Sequence, residues 1–268
     1  MVALGVLVAL APAATTVPPT AGPAFTTVAK RKPVPKRWRP AFERARAYAA
    51  TRAGTISFAV RTRRKLYRSD AYRGYSSASV VKAMLMVAYL NHDSVRGRAL
   101  TDSDHALLDP MIRWSDNGAA SQIRNLVGND ALSHLAHRVG MKRFVAHPVW
   151  GLTQITAAGQ TKLFLRIDRY VVRRHRRTAM RLLGSIVPEQ RWGIARARPS
   201  KWALYFKGGW GSGTGTVDHQ VALLRRGKRR LSIAVLTTAN PSHEYATQTI
   251  EGIARRLLRG LSPRAVPR

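Results

Sequence analysis

The chain contains no cysteine. That excludes a disulfide framework, a thiolate nucleophile and a lipid-modified N-terminal cysteine. Acid is scarce as well: 13 Asp and Glu stand against 46 Lys and Arg, a net charge of +33 over 268 residues. Only four of the acids are glutamates, Glu43, Glu189, Glu244 and Glu251. No His, Asp and Glu group has metal-ligand spacing, so no metal and no other cofactor is expected. Internal repeats are missing. The apolar N-terminal run, residues 1–14, is too short to span a membrane comfortably.

What is present is ordinary for a folded domain. Apolar residues make up 45% and charged residues 22%, enough for a core in one large domain or two modest ones. The excess of base implies association with polyanions, whether nucleic acid, anionic cell-wall polymer or membrane headgroups. The basic runs at 30–32, 173–177 and 225–230 read most simply as solvated faces of a linker, a helix and a hairpin tip. Neither aromatic interleaving nor zinc spacing accompanies them, so no dedicated nucleic-acid module is expected.

Residues 1–24 read as a secretory signal-like segment, with Ala11-Pro12-Ala13 as an A-x-A cleavage site. The missing basic n-region points to a true start upstream of Met1, and the expected location is the extracytoplasmic cell envelope of a bacterium. Residues 25–40 form a basic, Pro-rich linker. A domain at 41–261 follows, then a tail at 262–268. Within the domain, 40–53 predicts a helix closed by Gly54, and 55–60 and 65–69 predict two strands. Helices are expected at 103–114, with a break near Pro110, and at 118–127, 130–139, 156–166 and 168–183. Residues 202–206 predict a strand, 219–224 and 231–238 a hairpin, and 242–259 a closing amphipathic helix. Strands from both chain ends must meet in one antiparallel sheet flanked by helices, with a helical half between them: an α/β fold.

The chain is organised around YSSASVVKAMLMVAYL, residues 75–90. From Val80 to Leu90 every position but Lys82 is apolar, the pattern of a helix buried on all sides. A lone buried ammonium costs several kcal/mol unless it is paired or loses its proton. Ser79 lies three residues earlier, on the same helix face, where first-turn N–H groups are free. A serine hydroxyl, a desolvated lysine and free amides at a positive helix end are the parts of an activated nucleophile. Two further short motifs follow: Ser115-Asp116-Asn117 between two helices, and Lys207-Gly208-Gly209 at a strand end.

In order and setting, Ser79-Val80-Val81-Lys82, Ser115-Asp116-Asn117 and Lys207-Gly208-Gly209 resemble the S-x-x-K, S-D-N and K-T-G motifs of the penicillin-recognising serine hydrolases, class A β-lactamases and D,D-peptidases. The resemblance spans roughly residues 46–258. It implies that Ser79 is acylated, that Lys82, deprotonated by burial and nearby positive charge, takes its proton, and that Ser115 relays a proton to the departing nitrogen. It assigns Asn117 to the substrate's amide side chain and Lys207 to its carboxylate. Asp116 fixes the loop, Gly209 lets the strand edge lie close to substrate, and the N–H groups of Ser79 and Trp210 form the oxyanion hole. A monomer acting on a small or peptidoglycan-derived substrate is expected.

The departures are specific. Class A β-lactamases carry a water-activating glutamate on the loop after S-D-N. Here that loop, 140–156, has no Glu and no Asp, leaving Gln154 and His147 as the polar groups able to position water. The third motif has lost its hydroxyl, although Ser212 and Thr214 follow. The segment between the first two motifs is short. The acylating parts match and the hydrolysing parts are incomplete, so a slowly deacylating serine acyl-hydrolase is expected, acting on a β-lactam, a D-Ala-ended peptide or a similar amide. A D,D-peptidase-like enzyme and a non-catalytic cell-envelope binding protein that keeps the fold are the alternatives.

Overall fold

The computed structural model describes residues 1–2, 38–211, 213 and 216–261. The signal-like segment beyond Val2, nearly all of the linker and the tail after Leu261 lie outside them, as do Ser212 and Thr214. Every element below belongs to the unit spanning 35–268.

Helix α1 (Phe42–Ala50) leads into β1 (Thr55–Thr62) and β2 (Leu66–Ser69). The short strand β3 (Tyr75–Ser76) and a 3-10 turn (Ala78–Val81) precede α2 (Lys82–Asn91). Then come α3 (Asp93–Arg96), α4 (Asp102–Asp109), a wide π-type turn (Pro110–Trp114) and α5 (Asn117–Val139). Strand β4 (Gln154–Ile155) precedes α6 (Ala157–Leu165), α7 (Ile167–Tyr170), α8 (Arg176–Gly184) and α9 (Ile194–Ala197). The chain closes with β5 (Ala203–Gly211), β6 (Val217–Arg226), β7 (Arg229–Thr238) and α10 (His243–Leu258).

Five strands form an antiparallel sheet in the order β2-β1-β7-β6-β5, so the two chain ends do meet in one sheet. Phe58 faces Val235 and Val60 faces Ile233 across the β1–β7 pair. Residues 217–224 of β6 and 231–237 of β7 are buried without alternation, the signature of a sheet covered on both faces. Helices α1 and α10 pack together, and α6 packs on β1, β6 and β7. Helix α10 buries Ala246, Ile250, Ile253, Ala254 and Leu257 at helical spacing and turns its arginines outward. Helix α2 is buried on every side, Lys82 included. Among the described residues no helix is long and apolar enough to cross a membrane.

Several boundaries differ from expectation for physical reasons. Strand β5 begins where predicted but runs on to Gly211, so the Lys-Gly-Gly motif lies inside a strand and not at its end. The two helices expected at 118–127 and 130–139 are both present, joined end to end within α5 at Gly128, whose φ of 72° leaves the helical region. The segment predicted as a helix from 168 to 183 breaks after Tyr170. There the Asn91 carboxamide accepts from Val172 N–H (3.1 Å) and donates to Tyr170 O (2.8 Å), serving the backbone that the break exposes. The β3–β4 ladder lies in stretches with no strand-length pattern.

Candidate active site

Ser79 is held on a turn anchored from three directions. Ser77 N–H donates to Thr153 O (2.8 Å), and the Ser77 hydroxyl reaches Trp150 O and Gly151 O. His219 Nε2 donates to Ser76 O (2.9 Å), tying the turn to β6. Burial lowers that imidazole to about 4, so it stays neutral and rigid. Ala78 has φ +43°, a left-handed conformation that a non-glycine residue adopts at a cost of order 1–3 kcal/mol. The residue after it is Ser79. Val80 N–H is taken by Ser77 O, whereas Ser79 N–H has no partner among the described residues and remains a free donor.

Lys82 is fully buried. Its Nζ lies 2.6 Å from Ser115 O, 2.7 Å from Asn117 Oδ1 and 3.3 Å from Ser115 Oγ. Burial lowers the ammonium to about 7, with the Asp116 charge pulling the other way. A neutral amine here donates its two hydrogens to Ser115 O and Asn117 Oδ1 and keeps one lone pair. Among the described residues, no hydrogen bond joins Lys82 Nζ to Ser79 Oγ in this state. Such contacts commonly tighten only with substrate bound.

The second motif is shaped by Pro110. Ser115 and Asp116 both return their N–H groups to Pro110 O, closing a turn wider than an α-helix. Ser115 is left at φ +64°, which turns its carbonyl and hydroxyl to the same lysine. Asp116 accepts from Ala119 N–H (2.7 Å) and caps α5. Lys207, also fully buried, donates to Ser115 Oγ (3.0 Å) and Gly208 O (3.0 Å). Burial first, then the Lys82 charge, push Lys207 well below the usual lysine range. The Ser115 hydroxyl is thus bracketed by two buried lysines from different elements.

Gly209 lies where β5 presses on the Ser79 turn. A Cβ there would sit 2.8 Å from both Ser79 N and Val80 N. The close approach is therefore between strand and turn, a different reason for glycine from room for a substrate. Strand β5 is the sheet edge, so alternate N–H groups along it are unpaired within the sheet and available to a ligand. Trp210 follows on the same edge, 36% exposed. Its ring packs 6.0 Å from Trp192 and 5.7 Å from His243.

The loop at 140–156 brings an unanticipated group to Lys82. The Trp150 ring centre lies 4.7 Å from Nζ, and its Nε1–H donates to Ser121 Oγ (3.2 Å). Nothing local to Trp150 in the sequence marks this contact. His147 Nδ1 serves the neighbouring Val149 backbone, and the Gln154 amide bonds Ser76 Oγ and Leu152 O. Each of the two side chains is thus fixed through one nitrogen, His147 Nδ1 to the loop itself and Gln154 Nε2 to the loop and to Ser76. Among the described residues, no group of three His, Asp or Glu could hold a metal ion.

Comparison with known proteins places this fold. The fold matches a β-lactamase from Sphaerobacter thermophilus with a TM-score of 0.72 at 21% identity, over 83% of this chain and 99% of that one. A class A β-lactamase from Mycobacterium abscessus matches with a TM-score of 0.67 at 20% identity, over 82% and 99%. An ancestral class A β-lactamase matches with 0.65 at 17%, over 81% and 98%. Curated protein sequences give no match. Residues 97–261 match the Beta-lactamase enzyme family, a span that takes in Ser115, Asn117 and Lys207 and leaves out Ser79 and Lys82. With most of its length inside that match and the class A fold around it, the chain belongs to the β-lactamase enzyme family.

Proposed function

We propose that this protein is a serine acyl-hydrolase that forms a long-lived acyl-enzyme on Ser79 with a β-lactam, a D-Ala-ended peptide or a similar amide. The observation that carries the reading is the Ser115 hydroxyl held between Lys82 and Lys207, 3.3 and 3.0 Å from their Nζ atoms. In the first step the neutral Lys82 amine accepts the Ser79 proton as Oγ bonds to the substrate carbonyl carbon. The free Ser79 N–H and an edge N–H of β5, that of Trp210, receive the developing oxyanion, a contribution of a few kcal/mol to the barrier. As the C–N bond breaks, Ser115 gives its proton to the leaving nitrogen and recovers one from Lys82. The Ser79 proton thus ends on the departing amine and both lysines return to their starting state.

Deacylation needs a base for water. On the face of Lys82 that the loop covers stands the Trp150 indole, which cannot accept a proton at neutral pH. Slow hydrolysis of the ester is therefore part of the proposal, with the Lys82 amine left as the remaining base and no loop carboxylate to assist it. Export is part of the proposal, since such substrates are met outside the cytoplasm.

Intact-mass spectrometry after incubation with a fluorescent penicillin, on wild type and Ser79→Ala, tests the reading. A stable adduct on wild type alone is the expected result. Antibiotic consumed with no adduct would refute slow deacylation. Neither adduct nor consumption would remove the acylation reading for this substrate class.

A further inference from the structure

Two of the basic runs, 173–177 and 225–230, are distant in sequence, yet both line neighbouring clefts together with arginines from other elements. An open cleft of about 820 Å³ is lined by Arg96, Arg173, Arg174, Arg177 and Thr178, together with Val172. A second cleft is walled by Arg63 from the β1–β2 turn, Arg166 and Arg169 around α7, and Lys228 and Arg230 from the β6–β7 turn. A third shares Arg177 with the first, adds Arg176, Arg181 and Arg225, and meets the second through Asp168, which is bonded to Arg230.

Little acid faces this belt. Asp168, the one carboxylate among the cleft-lining residues, is already held by Arg230 through two bonds of 2.6 and 2.7 Å. Asp93 lies 3.5 Å from Arg96 at an exposed site. The guanidiniums of Arg63, Arg166, Arg173 and Arg177 have no hydrogen-bond partner among the described residues. Like charges crowded in this way repel one another and destabilise the fold, so an anion that spans them gains affinity from relieving the repulsion. Guanidinium forks match phosphate oxygens two at a time.

We propose that this belt binds a flexible polyol-phosphate polymer, a chain of phosphodiesters without bases. Three observations favour that chemistry over other polyanions. Neighbouring clefts are linked by a shared residue, Arg177, and by the Asp168–Arg230 pair, which suits an extended chain. The single aromatic ring among their lining residues, Tyr205, carries the Arg225 guanidinium over one face, 5.1 Å from its centre, and one such ring is no platform for stacking successive bases. Within the unit spanning 35–268, none of the exposed large apolar side chains of the described residues (Trp114, Leu126, Val145, Val149 and Trp210) lines these clefts, so the belt offers no such side chain to a bilayer.

Fluorescence anisotropy with a labelled glycerol-phosphate oligomer, over a salt series, tests the proposal. The full chain is compared with the double variant Arg173→Gln/Arg177→Gln and the charge-matched control Arg44→Gln/Arg46→Gln on α1. All four arginines are exposed, so both variants are expected to keep the wild-type melting temperature. Each lost phosphate contact removes about 0.7 from the slope of log K against log salt for a single strand. The belt variant should lose about 1.4 from that slope and bind at least tenfold more weakly near 0.1 M salt, while the control stays close to wild type. Equal losses in both variants would mean diffuse charge alone and overturn the belt. Tighter binding of an oligothymidylate of equal phosphate count, or binding only to anionic phospholipid vesicles, would overturn the polymer class. The result is independent of the acylation reading, because Ser79→Ala should bind the oligomer as wild type does.

Discussion

Trp150 lies over Lys82, its ring centre 4.7 Å from Nζ. The contact joins the loop that follows α5 to the first residue of α2. It fills, with an indole, a place beside the Lys82 amine that a carboxylate could occupy. A cation over an aromatic face gains of order 1 kcal/mol, so the ring modestly favours the ammonium without offering any base.

Replacing Trp150 by glutamate should therefore change the second half of the reaction. The Trp150→Glu variant is expected to deacylate faster than wild type, read as the decay of the penicillin adduct by intact mass. The new carboxylate should also raise the Lys82 pKa, moving the pH midpoint of acylation upward. An adduct lifetime equal to that of wild type would show that a missing base is not what keeps the ester.

Ser115 separates chemistry from backbone strain. Its hydroxyl meets both lysines, while its φ of +64° is a conformation glycine adopts freely. Both Ser115→Gly and Ser115→Ala lose the hydroxyl, but only glycine relieves the strain, so Ser115→Gly should be the more stable of the two by about 1 kcal/mol, while its acylation rate falls by roughly 10²–10⁴-fold through loss of the proposed proton relay. Ser115→Ala should lose the same rate without that relief. Thermal melting and stopped-flow acylation give the two readouts. Retained acylation in both variants would remove Ser115 from the relay.

With Lys82 as the proposed base, its pKa lowered by burial to about 7, the acylation rate should rise with pH through that value. Stability should rise in the same direction. The folded value lies below the usual lysine value, so between about 7 and 10.5 the unfolded chain binds more protons than the folded one. Stability then increases with pH across that window and is lowest below it. Lys82→Met, which removes the buried charge, should be more stable than wild type at pH 6 by roughly 1–4 kcal/mol. Acylation independent of pH from 6 to 8 would assign the proton to another group.

Much of the site was legible before any fold was known. The all-apolar run around Lys82 announces a buried helix, and α2 is buried at each position from Lys82 to Leu90. The hairpin of β6 and β7 and the closing helix α10 follow from alternation, turn residues and helical spacing. The order of Ser79, Lys82, Ser115, Asn117 and Lys207 pointed to one kind of chemistry, and the fold gathers Lys82, Ser115, Asn117 and Lys207 into one hydrogen-bonded cluster. Less legible were the left-handed residues Ala78 and Ser115, since neither is a glycine that would advertise a positive φ. The short ladder of β3 and β4 has two residues a side, too few for any period to show. The segment after Asp168 carried a helical composition, and only the Asn91 side chain reveals where its backbone breaks.

The sequence by itself determined the inventory: a serine and a lysine one helical turn apart, a second lysine on a strand, no acid in the loop at 140–156, and a large surplus of base. These are properties of residue type and short-range spacing, which the chain carries whatever its fold. Tertiary structure decided how the inventory is used. It set two buried lysines on one hydroxyl, pressed Gly209 against the Ser79 turn, laid Trp150 over Lys82 and merged separate basic runs into a belt. Each of these contacts joins residues distant along the chain. Their distances follow from how helices and strands pack around one core, and local sequence does not encode that packing geometry.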